Sequence, residues 1–255
     1  MRSCQVIPQG RRLLIPVSEA LHVPVNRLLA ALPDSEYQYL VPHLELVSLF
    51  LGQVLYEPGE PIREVYFPDR AMISLVSALA DNSTTEIGLV GNEGIVGLPA
   101  FLGGDFTINR AIVQIAGNAM KLDASVLKRE FDRGGELQRR LLLYTQALLT
   151  QISQISACKS RHRLEQQLAR WLLLVRDCVG QDEFRLTQQF IAEMLGVRRA
   201  SVTQLAGTFQ RAGLIRYSRG QIAILNQSEL EATACECYRL VRSESIRLLG
   251  TRQSS

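Results

Sequence analysis

Residues 188–207, reading QQFIAEMLGVRRASVTQLAG, constrain the fold of this chain more than any other stretch. Two short helices can pack across each other only if the crossing point is small and the turn between them is sharp. Ala192 stands at the predicted crossing, where no larger side chain fits. Gly196 stands at the turn, where the backbone needs a left-handed conformation that a Cβ disfavours. Ile191, Leu195, Val197, Val202 and Leu205 are spaced to fill the space between the helices, and Thr187 suits the first helix as its N-cap. The pattern predicts a helix-turn-helix whose second helix covers about 198–211.

The flanking sequence extends this unit. Upstream, Leu164, Leu168, Trp171, Leu172 and Val175 form one face of a helix that Gly180 should close. Downstream, two short apolar runs at 214–218 and 221–225 flank Arg219-Gly220, a tight hairpin signal. Ser228-Glu229-Leu230-Glu231 matches a capping box that would open a last helix. Residues 160–255 are thus expected to form a winged helix-turn-helix, with 159–163 as the hinge before it. Between Lys159 and Gly220 there are eleven Lys/Arg against five acids, a local charge of +6 in a chain of net +3. A basic region beside a mildly acidic remainder suits a polyanion partner, here double-stranded DNA. In such a complex the second helix enters the major groove, which makes Arg199, Ala200, Thr203 and Gln204 the candidate base readers. Arg199 could instead meet a phosphate. Thr187, Gln188, Arg198, Arg216 and Arg219 are candidates for contacts to the DNA backbone, which position a protein without reading sequence.

The N-terminal half has another texture. Residues 1–26 hold three prolines and no sustained period, and are read as a loosely ordered arm. Asp34 can cap a short helix that Pro42 ends. From there, β-branched or aromatic-rich runs at 45–50, 53–56, 63–67, 72–79, 85–90, 110–116 and 119–122 alternate with turn signals such as Pro58-Gly59, Asp81-Asn82-Ser83 and Gly103-Gly104. Many short strands without intervening helices predict an antiparallel roll over 27–132 and an α+β chain overall. Asp123 should cap a short helix, and a long one follows Gly134-Gly135. Over 133–159 its apolar positions Leu137, Leu141, Tyr144, Leu148 and Ile155 step by fours and threes, interrupted at Gln151. This stripe is read as a homodimer seam, the alternative being that it packs on its own domain. Leu142, Leu143, Leu149 and Ile152 widen the apolar surface, so one helix could serve both.

At this point the chain resembles the superfamily of the cAMP receptor protein and the fumarate–nitrate reduction regulator, over about residues 27–245. Gly52-Gln-Val-Leu-Tyr-Glu-Pro-Gly59, Val65-Tyr-Phe67, the long helix, Leu168-Ala-Arg-Trp-Leu172 and the motif at 187–207 carry the likeness. The resemblance implies a β-roll of cyclic-nucleotide-binding type, a dimerisation helix, and a homodimeric transcription regulator bound to an inverted repeat, with RNA polymerase as a further partner. Cyclic-nucleotide members carry a Gly-Glu-Leu run and an Arg-Ser/Thr-Ala run in the pocket. Here the first resembles Gly94-Ile-Val-Gly-Leu98, with Ile95 in place of the ribose-binding Glu. The second resembles Arg110-Ala-Ile112, with Ala111 in place of the hydroxyl. Gly94, Ile95, Arg110 and Ala111 therefore mark a degenerate effector pocket that should not hold cAMP tightly. The iron–sulfur type of the superfamily needs several cysteines near the start, where only Cys4 stands, and residues 50–122 hold neither Cys nor His to ligate a haem.

Other classes find little support. No run of about 18 apolar residues exists for a membrane span. Leu13–Val17 is too short for a signal-peptide core, and a cytoplasmic location is expected. The five scattered cysteines fit a reducing compartment rather than a disulfide framework. Cys235 and Cys237 lie about 200° apart around a helix, so they are read as buried hydrophobes and no metal site is expected. No nucleotide loop, HExxH or GxSxG is present, and His22, His43 and His162 lack partners at catalytic spacing, so an enzyme is not expected. The competing reading is a small-molecule sensor module that acts through a protein partner, supported only by the pocket scaffold.

Overall fold

The computed structural model describes residues 25–78 and 84–250. Cys4, His22, most of the expected arm and the turn at Asp81-Asn82-Ser83 lie outside the described residues. The chain enters through α1 (Arg27–Ala30) and α2 (Asp34–Leu40), then a 3-10 turn at Val41–His43. Buried Asn26 caps α1 by accepting from the Leu28 and Leu29 amides, while its own amide donates to Pro68 and Gly94 carbonyls. Asp34 lies in the first turn of α2 rather than at its cap, which Pro33 occupies without a side-chain bond.

Among the described residues, seven strands follow: β1 (Glu45–Leu49), β2 (Val54–Tyr56), β3 (Glu64–Pro68), β4 (Met72–Ala78), β5 (Thr84–Val90), β6 (Arg110–Ile115) and β7 (Gly117–Asp123). They form two antiparallel sheets, ordered β1-β7-β3 and β2-β6-β4-β5. The expected strands and their antiparallel roll are present, and β3, β4 and β5 are largely buried rather than alternating, because packed elements cover both of their faces. At β4–β5 the register passes from Leu75↔Gly88 to Val76↔Glu86, skipping Ile87. Such a bulge bends a strand locally. The short helix α3 (Pro99–Leu102), in the loop between β5 and β6, was not expected from sequence.

Asp123 caps α4 (Ala124–Asp132) as anticipated. The long α5 (Glu136–Arg161) starts after Gly134 and Gly135, both at positive φ. Gly135 offers no side chain to the first turn. Glu36 of α2 supplies the cap instead, its two carboxylate oxygens accepting from the Glu136 and Leu137 amides at 2.9 and 2.8 Å. A carboxylate at a helix N-terminus also complements the helix dipole.

After a break at His162–Arg163 come α6 (Leu164–Val179), β8 (Glu183–Arg185), α7 (Gln188–Leu195), α8 (Arg199–Arg211), β9 (Ile215–Ser218), β10 (Gln221–Ile224), α9 (Gln227–Thr233) and α10 (Glu236–Leu249). Gly180 ends α6 at φ 72°, as its left-handed role required. The three C-terminal strands form a sheet ordered β8-β10-β9, so the wing has one strand more than the hairpin signal showed. The expected last helix is two helices. Asn226 caps α9 rather than Ser228, and the chain turns extended at Ala234 and Cys235 before α10.

Two large apolar cores form among the described residues. One joins the roll, α1, α2, α4 and the start of α5. The other is built from α6 to α10 but also contains Met72, Val76 and Leu89 of the roll, so the helix-turn-helix region packs on β4 and β5 at that end of the sheet. Helix α10 lies back along α5, with Leu249 O accepting from Arg140 at 3.3 Å and Gly250 O from Arg27 at 2.7 Å.

Candidate nucleic-acid interface

The 188–207 motif folds as its spacing demands. The Thr187 hydroxyl accepts from the Phe190 amide at 3.1 Å and caps α7. Gly196 turns the chain at φ 70°, and Ala192 is buried at the helix crossing. Ile191, Leu195 and Val202 are buried, and Val197 and Leu205 pack partly buried against the same core. This inner packing leaves the opposite face of α8 to solvent, where Arg199, Ala200, Thr203 and Gln204 are all exposed. The Thr203 hydroxyl lies 2.6 Å from Gln188 Oε1 and 3.1 Å from Arg199 O. It can donate to one of them at a time, which ties the start of α7 to the reading face.

The expected backbone-contact residues are also outward. Arg198 is the N-cap of α8 and makes no side-chain cap bond, leaving its guanidinium exposed. Arg219 and Gly220 adopt φ 49° and 79°, the two positive values of a tight hairpin turn, and they put the Arg219 side chain at the wing tip. Arg216 pairs with Glu183 at 3.2 Å, both largely exposed, so water screens the pair and it can be exchanged for another anion. Arg185, Arg216 and Arg219 border one small hollow on the wing. Tyr217 fixes the sheet beneath, donating to Leu186 O at 2.7 Å, and burial pushes its phenol up to about 12.

The seam assigned to α5 requires correction. Leu137, Leu141, Tyr144, Leu148 and Ile155 are each 5% exposed or less within the single chain, packed on its own roll and helices. The Gly94 backbone shows how tightly: a Cβ there would lie 2.2 Å from the Tyr144 ring. The apolar face of α5 that remains open runs through Leu142, 47% exposed, and Leu149, 59% exposed, with Thr145 and Ile152 between and beside them half-buried.

The expected pocket residues differ in exposure. Ile95 and Ala111 are buried in the roll core. Tyr56 faces Ala111 across the β2–β6 pair, and its hydroxyl reaches Glu64 O at 2.6 Å and Val96 O at 3.2 Å. Its ring therefore spans from the strand carrying Ala111 to the segment carrying Ile95. Arg110 is turned to Glu57, bonded at 2.9 Å with both side chains 40% exposed. A cleft of about 320 Å³ opens elsewhere, between the roll, α5, α6 and α10, lined by Glu93, Tyr144, Gln151, Cys178 and Arg242 among others.

Two clusters escaped the sequence reading. The first joins the roll to the C-terminal helices. The buried Glu86 carboxylate accepts from Ser74 Oγ and from Trp171 Nε1, each at 2.8 Å. Burial raises its pKa to about 7 against these bonds and the charges of Lys159 and Arg170. Lys159, at the end of α5, donates to Thr85 Oγ1, Glu86 O and Met194 O, and its own pKa is lowered by burial. The second cluster brings Cys158, His162, Cys235 and Cys237 together with their ligand atoms all within 4.8 Å of one another. Cys235 stands outside α10 as its extended N-cap, so the two-residue spacing to Cys237 does not turn the thiols apart as a helix would. The expectations that these cysteines do not share a face and that no metal-ligand cluster forms are corrected accordingly, and His162, read as lacking partners at catalytic spacing, lies beside Cys158, Cys235 and Cys237.

Residues 166–233 match the Crp-like helix-turn-helix domain family. No curated protein matches the chain in sequence. Among solved structures, FixK2 from Bradyrhizobium japonicum superposes with a TM-score of 0.66 at 17% identity, covering 75% of this chain and 98% of that one. A CRP-family transcriptional regulator from Thermus thermophilus gives 0.61 at 20%, covering 74% and 96%. A second regulator from that organism, of the CRP/FNR family, gives 0.59 at 23%, covering 74% and 98%. No helix among the described residues is long and apolar enough to cross a membrane. The chain thus carries a Crp-like helix-turn-helix domain at residues 166–233 and shares the fold of solved CRP/FNR-family regulators.

Proposed function

We propose that the protein acts as a homodimeric, sequence-specific DNA-binding transcription regulator that does not use cAMP as its signal. The observation that carries the reading is the exposed face of α8. Arg199, Ala200, Thr203 and Gln204 are free to enter a major groove, while Val202, Ala206 and Phe209 hold the helix from behind. Arg198 and Arg219, exposed before and after that helix in the sequence, are the proposed phosphate contacts. The open stripe at Leu142 and Leu149 supports pairing with a second copy, since large apolar side chains at heptad spacing gain from burial. The burial of Tyr56, Ile95 and Ala111, with the Tyr56 hydroxyl engaged by backbone carbonyls, supports a roll that transmits a signal other than a cyclic nucleotide in the usual pose.

Selection of binding sites from a randomised duplex library, at stated salt, tests this. The expected product is an inverted repeat with half-sites about one helical turn apart. Recovery of only asymmetric or sequence-indifferent binding overturns it.

A further inference from the structure

We infer that Cys158, His162, Cys235 and Cys237 form a closed Cys3His site for Zn2+ at the joint between the end of α5 and the start of α10. Cys158 and His162 lie one helical turn apart at the end of α5, where His162 is the C-cap. Cys235 and Cys237 arrive from the far end of the chain. The Cys158 and Cys235 sulfurs are 3.4 Å apart, and Cys237 Sγ is 3.6 Å from His162 Nδ1. Tetrahedral Zn2+ with Zn–S near 2.3 Å and Zn–N near 2.0 Å requires ligand separations of about 3.5–3.8 Å. The cluster is within a few tenths of an ångström of that geometry at these edges. Three cysteines are buried and form an apolar cluster of their own, so four protein ligands would leave no open coordination position. A structural site has that form, and a catalytic one does not.

The surroundings fit an occupied metal site. His162 offers Nδ1 to the cluster while its Nε2 lies 3.1 Å from Glu236 Oε1. A carboxylate on the far nitrogen fixes the tautomer and orientation of a metal-binding imidazole. Gln167 donates to His162 O at 2.8 Å and lies 3.4 Å from Cys158 O, holding the turn that carries both ligands. Binding Zn2+ releases the three thiol protons to solvent and leaves a site of net charge −1, with no change of oxidation state. Arg170 on α6 can balance it. It is 1% exposed and interacts electrostatically with Cys158, and its Nε and Nη1 have no hydrogen-bond partner among the described residues. Buried guanidinium N–H groups without partners are costly, and a negative charge nearby offsets that cost beyond what Glu86 supplies. The inference does not depend on DNA binding.

The test uses reduced full-length protein and Co2+ as a spectroscopic probe. The expected result is one equivalent bound per chain, with the intense visible bands of tetrahedral thiolate-bound cobalt, displaced by Zn2+. Zn2+ should raise the melting temperature, and a chelator should lower it. Cys235→Ser or Cys237→Ser removes the bands, and Cys178→Ser, away from the cluster, keeps them. Glu236→Gln weakens Zn2+ about ten- to hundredfold. Should a serine variant fail to fold, His162→Cys decides, because a four-thiolate site retains tetrahedral bands at shifted wavelength. Absence of tetrahedral bands in the reduced protein overturns the inference. So does their survival in both serine variants, or a Cys158–Cys235 disulfide in protein that takes up no metal.

Discussion

The indole of Trp171 donates to the carboxylate of Glu86 at 2.8 Å, across 85 residues of sequence and across the joint between the roll and the C-terminal helices. Because Ser74 donates to the other oxygen and Lys159 to the Glu86 carbonyl, one buried acid holds β4, β5, α5 and α6 together. Its raised pKa has a defined sign. Between the ordinary carboxylate range and about 7, the folded chain binds a proton that the unfolded chain has released. Stability from this group is therefore greatest at acid pH and is lost as pH rises toward 7. Glu86→Gln should remove that dependence, leaving the variant more stable than the parent above pH 7 by on the order of 2 kcal/mol. Urea unfolding from about pH 5 to pH 8 checks it, with the single tryptophan as probe. Parallel pH profiles for parent and variant would refute the assignment.

Arg199→Ala should cost about 1–3 kcal/mol at the preferred DNA site and relax one base position per half-site. Arg219→Ala should weaken all sequences alike and flatten the dependence on salt. Titrations on cognate and random duplexes separate the two. Equal weakening on both by Arg199→Ala would make Arg199 a phosphate contact.

Leu142 and Leu149 lie one heptad apart on the open side of α5. Replacing both with Glu would place four like charges in a dimer contact, so sedimentation should show folded monomers. The same change at Leu141 and Leu148 should instead unfold the chain, since each buried leucine contributes about 2–5 kcal/mol. A Leu142/Leu149 double variant that stays dimeric at micromolar concentration would move the interface elsewhere.

Isothermal titration with cAMP should show no micromolar binding. Ile95 and Ala111 cannot supply the ribose and phosphate contacts, and each lost charge-accepting bond costs about 1.5–3 kcal/mol. Opening the site would also require Tyr56 to leave two carbonyls. A micromolar dissociation constant coupled to tighter DNA binding would reverse this reading.

Some of this protein could be read without its tertiary structure because the controlling requirement is local. The turn at Gly196 needs a left-handed residue and the crossing at Ala192 a small one, whatever surrounds them. Strands 45–49 to 117–123 follow from short apolar runs bounded by turn signals, which each segment carries by itself. The heptad of α5 was equally visible, but periodicity reports that a face is buried and not by what. The structure gave that face to the same chain and left Leu142 and Leu149 open. The caps and clusters were beyond the sequence for the same reason. Glu36 caps α5 from a hundred residues away, Glu86 meets Trp171 across the joint, and Cys158 meets Cys235 over 77 residues. The helical rule that set Cys235 and Cys237 on different faces failed because the backbone is extended at Ala234 and Cys235. Spacing along a chain fixes direction only where the backbone is regular, and which distant groups meet is decided by how the elements pack.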